Sequence, residues 1–279
     1  MPNKNTTIYP VSNVAEVLSI LKNVQGVSIV AGCTELARRQ TGRNLRLPPL
    51  VLPLSRVPEL CTVAKTERYI DFGPSVTLEA ILQLGAKNLP EALHRAVKSV
   101  ANPGIRALGT LGGNISAKGH RLTAFAPLLA LDARLEIKSP AETLWIPMNR
   151  YFSNTGKTHR DPTEFISKIR VPTEHWDFSV FRRIGSAGII SSSTASFVFL
   201  VKLQKNILAD IRIAWAGSFF FRNREFENIL IGRSLPIQAK DIDYVTEKAE
   251  AFFPAELFPP SYERSCFINL LREALSTLT

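Results

Sequence analysis

Residues 101–133 read ANPGIRALGTLGGNISAKGHRLTAFAPLLALDA, and closely spaced glycines leave the middle of this stretch almost without side chains. Three glycines fall within five residues: Gly109, Gly112 and Gly113. Glycine leaves backbone amides uncovered and reaches positive φ without steric cost, so such a segment can approach a phosphate or a polar ring edge. Thr110 and Asn114 flank the glycines in place of hairpin-type turn pairs. The pattern therefore favours a ligand-binding loop over a tight turn without a ligand.

A second segment of this kind lies upstream. The apolar run Gly26 to Val30 leads through Ala31-Gly32-Cys33-Thr34-Glu35 into Leu36-Ala37-Arg38-Arg39. This order predicts a strand, a turn and a helix, whose first turn offers free N–H groups to a ligand. Thr34 is expected to cap the helix or to donate its hydroxyl.

The two standard phosphate-binding motifs are absent. Neither segment fits the dinucleotide fingerprint G-x-G-x-x-G. Farther along, Gly156-Lys157-Thr158 is not part of a Walker loop, because the position five residues before Gly156 is Tyr151.

Together the two segments resemble the FAD-binding (medium) subunit of the molybdenum hydroxylases, the family of xanthine dehydrogenase and carbon monoxide dehydrogenase flavoprotein subunits. Residues 31–36, AGCTEL, resemble the family's A-G-G-T-[DE]-L, and residues 104–114, GIRALGTLGGN, resemble its Q-I-R-N-x-[AG]-T-[IL]-G-G-N. Further matches are LSRVPEL at 54–60, GKT at 156–158 and IRIA at 211–214. The resemblance thus extends over nearly the whole chain.

The resemblance implies that FAD is bound without a covalent link, with the first segment at the pyrophosphate and the second on the opposite side of the cofactor. Phe181-Arg182-Arg183 matches the place of a family lysine near the flavin ring, so either arginine is expected to stabilise a negatively charged reduced flavin. The residues implied for FAD binding are Val30, Ala31, Gly32, Cys33, Thr34, Glu35, Leu36, Arg106, Gly109, Thr110, Gly112, Gly113, Asn114, Thr123, Ile169, Arg182 and Arg183. No catalytic acid or base is implied, because the flavin itself carries the redox chemistry.

The sequence departs from the family pattern at several positions. Cys33 stands where the second glycine of the first segment is usual, and Gly104 and Ala107 replace a Gln and an Asn. Residues 116–125, SAKGHRLTAF, carry Thr123 or Ala124 at the place of an Asp that would contact the flavin ring or ribityl chain. These departures keep open an alternative, a non-redox assembly subunit of the same fold that has lost flavin.

Composition limits the remaining classes of function. With 279 residues, 45% hydrophobic and 21% charged, the chain can bury the cores of two domains. Cys33, Cys61 and Cys266 are isolated, which suggests neither disulfides nor an iron–sulfur cluster and fits a reducing compartment. The start, MPNKNTTIYP, lacks the apolar core of a signal peptide, and no run reaches a membrane-spanning length. We therefore expect a soluble, cytoplasmic protein without a membrane partner.

The net charge of +10 and the pI of about 9.7 raise the hypothesis of nucleic-acid binding. The basic residues instead form loose groups without interleaved aromatics, which favours solvated faces and an acidic protein partner over nucleic acid. These groups are Arg38, Arg39, Arg43 and Arg46; Arg182 and Arg183; and Arg222 and Arg224. The histidines lack metal-ligand spacing, so no metal site is expected: His94, His120, His159 and His175.

Hydrophobic periodicity predicts an α+β fold. Asn13 to Asn23 reads as an amphipathic helix capped by Asn13, with Glu16 three residues later, and the α/β unit that contains it ends near Leu54. Further strands are predicted at 69–73, 134–138, 165–171, 191–201 and 207–217, and further helices at 90–100, 241–253 and 261–279. The polar, proline-containing stretch Pro172 to Asp177 is the predicted domain boundary.

With the resemblance, these elements predict a two-part FAD-binding domain at 1–172. It consists of a small α/β unit at about 1–54 and a larger mixed α/β unit at 55–172. A C-terminal domain at 177–279 would combine a small antiparallel sheet with helices.

The function that the resemblance implies is electron transfer within a complex. A molybdenum-cofactor large subunit would reduce a [2Fe–2S] small subunit, which would pass electrons through FAD to NAD⁺ or another soluble oxidant.

Overall fold

The computed structural model describes residues 6–40, 42, 46–119, 121–152, 161–185, 190–191, 193–253 and 262–278. Four sites singled out in the sequence lie outside the described residues: Arg43, His120, the GKT stretch at 156–158, and His159.

The N-terminal unit is a three-stranded parallel sheet with two helices. Its elements are β1 (Thr7–Ile8), α1 (Val14–Asn23), β2 (Ser28–Val30), α2 (Thr34–Arg38) and β3 (Leu50–Pro53), with the strand order β1-β3-β2. The predicted cap of α1 is confirmed, because the Asn13 side chain accepts a hydrogen bond of 2.9 Å from the Glu16 amide. The Glu16 carboxylate in turn accepts one of 2.7 Å from the Ser12 amide. Val17 and Leu21 bury the inner face of the helix.

The second unit is a five-stranded antiparallel sheet with helices between its strands. The sheet consists of β4 (Val63–Lys65), β5 (Tyr69–Phe72), β6 (Arg134–Lys138), β7 (Thr143–Pro147) and β8 (Phe165–Pro172), in the order β4-β5-β8-β6-β7. The helices are α3 (Leu78–Gln83), α4 (Glu91–Lys98), α5 (Pro103–Leu108), α6 (Leu111–Ile115), α7 (Phe125–Ala130) and α8 (Met148–Tyr151). Apolar side chains of the sheet and of α3, α4 and α7 form one core.

The C-terminal part is a four-stranded antiparallel sheet covered by helices. Its elements are β9 (Phe178–Ile184), β10 (Ala195–Gln204), β11 (Ile207–Ala216), β12 (Phe220–Phe221), α9 (Arg224–Asn228), α10 (Ala239–Ala249) and α11 (Tyr262–Ser276), with the strand order β12-β11-β10-β9. Side chains alternate across β10, so that Phe197 and Phe199 pack towards α10 and α11 while Val198 and Leu200 join the core of the second unit. The sheet is therefore buried on both faces.

An ion-pair network joins the C-terminal sheet to α7. Glu227 on α9 is fully buried, and it accepts hydrogen bonds from the Ile213 amide at 2.9 Å and from Arg222 Nε at 3.0 Å. The same Arg222 donates to the Leu129 carbonyl of α7 at 2.7 Å and pairs with Asp132 just beyond that helix. The expectation that Arg222 lies on a solvated face is therefore wrong; its guanidinium holds two parts of the chain together.

The α+β class is confirmed, and each strand or helix named from periodicity is present, with ends that differ by up to four residues. The helical nature of α5 and α6 was not foreseen, since residues 109–114 were predicted to be a loop. Two side-chain caps explain these helices: Asn102 accepts from the Ile105 amide at 3.0 Å, and Thr110 accepts from the Gly113 amide at 3.1 Å. The domain boundary at 172–177 stays a prediction.

We predict that Glu227→Gln lowers the free energy of unfolding by about 3 kcal/mol, because it leaves the Arg222 guanidinium, whose side chain is 10% exposed, facing a neutral amide. Urea denaturation of the full chain measures the effect. Glu225→Gln is the matched control, since Glu225 lies two residues earlier on the same helix and is exposed; it should cost less than about 0.5 kcal/mol. Equal losses in the two variants would contradict a stabilising role for the network.

Candidate functional site

A cavity of about 590 Å³ lies between the N-terminal unit and the second unit. Thirteen of the residues implied for cofactor binding line it: Val30, Ala31, Gly32, Cys33, Thr34, Glu35, Leu36, Gly109, Thr110, Gly113, Asn114, Thr123 and Arg183. The structure thus brings the two sequence segments to one site, although Pro103, where the second segment's first helix begins, lies 72 positions after Ala31.

The first wall of the cavity is the edge of the parallel sheet. Residues 26–36 line it without interruption, through β2 and into α2. Within the three-stranded sheet, β2 pairs only with β3, so the backbone groups on its other edge are not engaged by that sheet. A ligand in the cavity therefore meets main-chain donors and acceptors along this wall.

The second wall consists of the glycine-rich segment, which is held in place by backbone groups of residues 74–78, up to the first residue of α3. The Leu78 amide donates to the Gly109 carbonyl at 2.8 Å, and the Leu111 amide donates to the Val76 carbonyl at 3.0 Å. The Gly112 amide donates to the Pro74 carbonyl at 2.9 Å. These bonds fix α6 so that Gly113 and Asn114 face the cavity.

The two walls meet backbone to backbone at Gly32. A Cβ atom on Gly32 would overlap the carbonyl oxygen of Leu108 at the end of α5. On Gly112, a Cβ atom would lie 2.6 Å from the Pro74 carbonyl oxygen, which is also too close. Close approach, and not positive φ, is thus the reason for glycine at both positions, because neither Gly32 nor Gly112 has a positive φ.

Cys33 adopts the conformation that its usual glycine would adopt without cost. Its φ is +55° and its ψ is 7°, in the left-handed region, and it occupies the N-cap of α2 without a side-chain capping bond. Thr34 is the first helical residue and does not cap α2; it lines the cavity, so donation of its hydroxyl stays a prediction. Partial burial raises the pKa of the Cys33 thiol above its ordinary value, so the thiol is protonated at neutral pH and a weak nucleophile.

Glu35 organises two arginines at the start of the cavity. Its carboxylate accepts hydrogen bonds of 2.7 Å from Arg38 Nε and Nη2 and from Arg39 Nε. Partial burial alone would raise the pKa of Glu35, but the bonds from Arg38 and Arg39 outweigh it and hold the pKa below its ordinary value. Both arginines line the cavity and both remain exposed, as expected for a solvated face.

The same two arginines connect α2 to the other walls. Arg39 Nη2 donates to the carbonyl of Lys118, between α6 and α7, and Arg38 Nη1 donates to the carbonyl of Ile190 at 3.3 Å. Arg183 reaches the cavity from β9, and burial lowers the pKa of its guanidinium. Within the described part of the chain, the lining contains the basic residues Arg38, Arg39, Lys118 and Arg183 against the acidic residue Glu35. The site is suited to an anion.

Four residues implied for cofactor binding do not line the cavity. Arg106 Nε pairs with Glu79 Oε2 at 3.0 Å, which ties α5 to α3. Ile169 is fully buried in the core of the five-stranded sheet. Arg182 Nη2 bonds to Glu273 Oε1 at 2.6 Å on the side of α11. Gly112, as described above, packs against Pro74.

The sequence reading missed several lining residues, among them Ser28, Leu78, Ile105, Arg38, Arg39 and Lys118. For the two arginines a signal was present, because they follow Glu35 at the i+3 and i+4 spacing of helical ion pairs. Of the two residues at the place of the usual Asp, Thr123 is 6% exposed and lines the cavity, whereas Ala124 is fully buried and does not line it.

Two general properties of the described residues bear on the site. No three His, Cys, Asp or Glu side chains among them come together as metal ligands would. None of the helices in the described ranges is both long and apolar enough to cross a membrane.

Comparison with known proteins gives a family match. Residues 4–174 match the family model described as "FAD binding domain in molybdopterin dehydrogenase". The 6-hydroxypseudooxynicotine dehydrogenase complex subunit alpha of Paenarthrobacter nicotinovorans is 32% identical over 215 residues, which are 74% of this chain and 71% of that protein. Aldehyde oxidase 2 of Cavia porcellus is 26% identical over 217 residues, 72% of this chain but only 16% of that much longer protein.

Solved structures show the same fold. Carbon monoxide dehydrogenase from Hydrogenophaga pseudoflava, in a form that lacks the Mo-pyranopterin moiety, contains a chain that superposes with a TM-score of 0.85 at 19% identity. The superposition covers 100% of this chain and 98% of the other. The likeness therefore includes the C-terminal sheet and helices, beyond the part that the family model matches.

We predict that Cys33→Gly raises the free energy of unfolding by about 0.5–1 kcal/mol, because it removes the cost of a left-handed side-chain-bearing residue and that gain exceeds the added entropy of the unfolded chain. Cys33→Ala is the matched control, which removes the thiol but keeps the Cβ atom. Urea denaturation should place the alanine variant at or below the parent. A glycine variant no more stable than the alanine variant would contradict the backbone explanation.

We also predict that Glu35→Gln lowers the free energy of unfolding by about 0.5–1 kcal/mol at pH 7. Since the pKa of Glu35 is lowered in the folded state, its contribution is present above the ordinary pKa and disappears as the pH falls through the lowered value. The difference between parent and variant should therefore shrink on acidification below about pH 4.5. Denaturation at a series of pH values tests this, with the exposed Glu67→Gln as control; a difference that does not change with pH would contradict it.

Proposed function

Because this chain belongs to the family of FAD-binding domains in molybdopterin dehydrogenases, we propose that it is the flavoprotein subunit of a molybdenum-cofactor hydroxylase or dehydrogenase complex. Bound FAD would supply the redox chemistry that carries electrons from a [2Fe–2S] subunit to NAD⁺ or another soluble acceptor. The observation that carries the proposal is the meeting of both glycine-containing segments in one cavity with basic walls.

The residues of the cavity suit FAD. Its volume of about 590 Å³ lies within the range of about 300–1,000 Å³ that is usual for small-molecule sites. Backbone amides of the first segment, together with Arg38 and Arg39, offer donors and positive charge to a pyrophosphate. Leu78, Ile105 and Leu122 supply apolar surface for ring systems. A Cβ atom on Gly113 would lie only 3.0 Å from Thr110 Oγ1. Glycine therefore fits this position, and the wall carries no side chain there.

We propose that Arg183, and not Arg182, faces the cofactor. Arg183 lines the cavity, whereas Arg182 is engaged by Glu273 on α11. A guanidinium at this wall would stabilise negative charge that develops on a reduced ligand. Arg106, Gly112 and Ile169 would then act from behind the walls, by holding α5, α6 and the five-stranded sheet in place.

The cofactor would be held without a covalent bond. Cys33 is the cysteine that reaches the cavity in the described part of the chain, and burial raises the pKa of its thiol. A protonated thiol is a poor nucleophile for attachment to a flavin.

We propose that the chain works beside a molybdenum-cofactor large subunit and a [2Fe–2S] small subunit. The relative from Paenarthrobacter nicotinovorans is named as a subunit of a dehydrogenase complex, which supports such an assembly. The net charge of +10 favours docking onto more acidic partners. Purification of the chain from its native host should recover both partners, and recovery of a lone oxidase that turns over a small substrate would contradict the assembly.

An absorbance spectrum of the purified full chain, followed by release and identification of any yellow cofactor, tests the proposal. We expect a flavin that is released on denaturation and is identified as FAD. The competing function is an assembly subunit without flavin, which is favoured by Cys33 in place of the usual glycine and by the lack of the usual Asp at Thr123 or Ala124. Failure to bind FAD even after reconstitution with excess cofactor would decide for that alternative.

We predict that Gly113→Val raises the Kd for FAD at least about 100-fold, because the added side chain enters the cavity space next to Thr110. The fold should survive with a loss of about 1–2 kcal/mol in the free energy of unfolding. Gly104→Val is the matched control, since Gly104 is exposed at the start of α5 and does not line the cavity; it should keep the parent's Kd. FAD titration and circular-dichroism melts measure both quantities, and a Gly113→Val chain that binds like the parent would refute this site.

A further inference from the structure

A third cavity wall, called wall 116–123 and described at residues 116–119 and 121–123, lies between α6 and α7. Ser116, Ala117 and Lys118 at one end and Leu122 and Thr123 at the other line the cavity. The wall is thus a connecting segment, which needs anchors if it is to hold one shape.

Arg121 lies within this segment but is directed elsewhere. It is 5% exposed and is not among the cavity-lining residues. Its guanidinium carbon lies 5.0 Å from the ring centre of Phe125, 5.3 Å from that of Phe152 and 5.6 Å from that of Phe220. A guanidinium at such distances is attracted to the negative faces of aromatic rings, and the attraction is stronger where water is excluded.

The three rings come from three parts of the fold and already contact each other. Phe125 begins α7, Phe152 directly follows α8, and Phe220 lies on β12 of the C-terminal sheet. The ring centres of Phe125 and Phe152 are 5.3 Å apart, and those of Phe125 and Phe220 are 5.1 Å apart. The Arg121 amide also donates to the Gly217 carbonyl at 2.7 Å, beside the same sheet.

We propose that Arg121 is a positioning residue for the cofactor cavity: by inserting its guanidinium among Phe125, Phe152 and Phe220, it fixes wall 116–123 and couples the C-terminal sheet to cofactor binding. On the opposite side of the wall, Arg39 holds the carbonyl of Lys118. The segment is therefore held from the cavity side and from the core side. The part that concerns FAD rests on the proposed function, whereas the anchoring of the wall does not.

The test compares full-length chains that carry Arg121→Met, Arg121→Lys and a control, Arg170→Met. Arg170 is also stacked between aromatic rings, with its guanidinium carbon 3.8 Å from the ring centre of Tyr69 and 4.2 Å from that of Trp145, and it does not line the cavity. The control therefore removes an arginine–aromatic contact elsewhere, together with the two hydrogen bonds of 2.7 Å that Arg170 donates to Asp71. The measurements are amide hydrogen exchange of peptides covering 116–123 without FAD, the Kd for FAD, and the visible circular dichroism of the bound flavin.

We expect Arg121→Met to speed exchange in 116–123 by about tenfold or more, to weaken FAD binding by about tenfold or more, and to change the flavin dichroism. Arg121→Lys keeps the cation and should restore most of the slow exchange and most of the FAD affinity. Arg170→Met should lower the free energy of unfolding without changing exchange in 116–123 or the Kd for FAD. Parental exchange and Kd in Arg121→Met, or an equal loss of FAD affinity in Arg170→Met, would overturn the proposal.

If Arg121→Met does not fold, a milder variant tests whether Arg121 anchors wall 116–123. Phe152→Leu removes one of the three rings and keeps the arginine, and it should give intermediate exchange and Kd values; parental values in this variant would overturn the proposal. If the parent chain binds no FAD, the proposed function fails, while the exchange comparison still tests the anchoring of the wall by Arg121.

Discussion

The candidate site depends on a backbone contact between Gly32 and Leu108. The first residue belongs to the parallel sheet unit and the second to a helix of the antiparallel sheet unit, and no side chain fits between them. A cavity between two packed units keeps its shape only if their separation is fixed. Here the carbonyl of Leu108 sets that separation at one wall, and the contact of Gly112 with Pro74 sets the position of the other.

Charged side chains also connect the parts of the chain that surround the cavity. Glu35 aligns Arg38 and Arg39. Arg39 then bonds to Lys118 and Arg38 to Ile190, so that the end of α2 is tied to the third wall and to Ile190. Arg222 performs a comparable task in the core, because it joins buried Glu227 to the carbonyl of Leu129. The C-terminal sheet is thereby tied to α7 and, through the rings around Arg121, to the segment that forms the third wall. The cavity and the C-terminal part behave as one packed structure.

Sequence patterns predicted the strands and the long helices because the buried apolar residues of such elements recur at a regular spacing in the sequence. In α1, for example, Val17 and Leu21 lie four residues apart and are both buried. They failed for α6, where two adjacent glycines indicated a loop and a threonine cap produced a helix. The roles of Gly32 and Gly112 could not be read either, since each depends on a carbonyl oxygen from a distant part of the chain. Cys33 was noticed as a departure, but its cost became evident only from its φ of +55°. Arg121 gave no sequence signal, because its partners lie up to 99 residues away, at Phe220.

The central claim is that FAD binds where the two glycine-containing segments meet. Hydrogen exchange of the full chain with and without FAD tests it most directly, because protection reports which amides the ligand covers or steadies. The account predicts FAD-dependent protection in peptides covering 26–39 and 109–123, with no change in β6 and β7 of the five-stranded sheet, at 134–147. Protection confined to other segments, or none at saturating FAD, would contradict it.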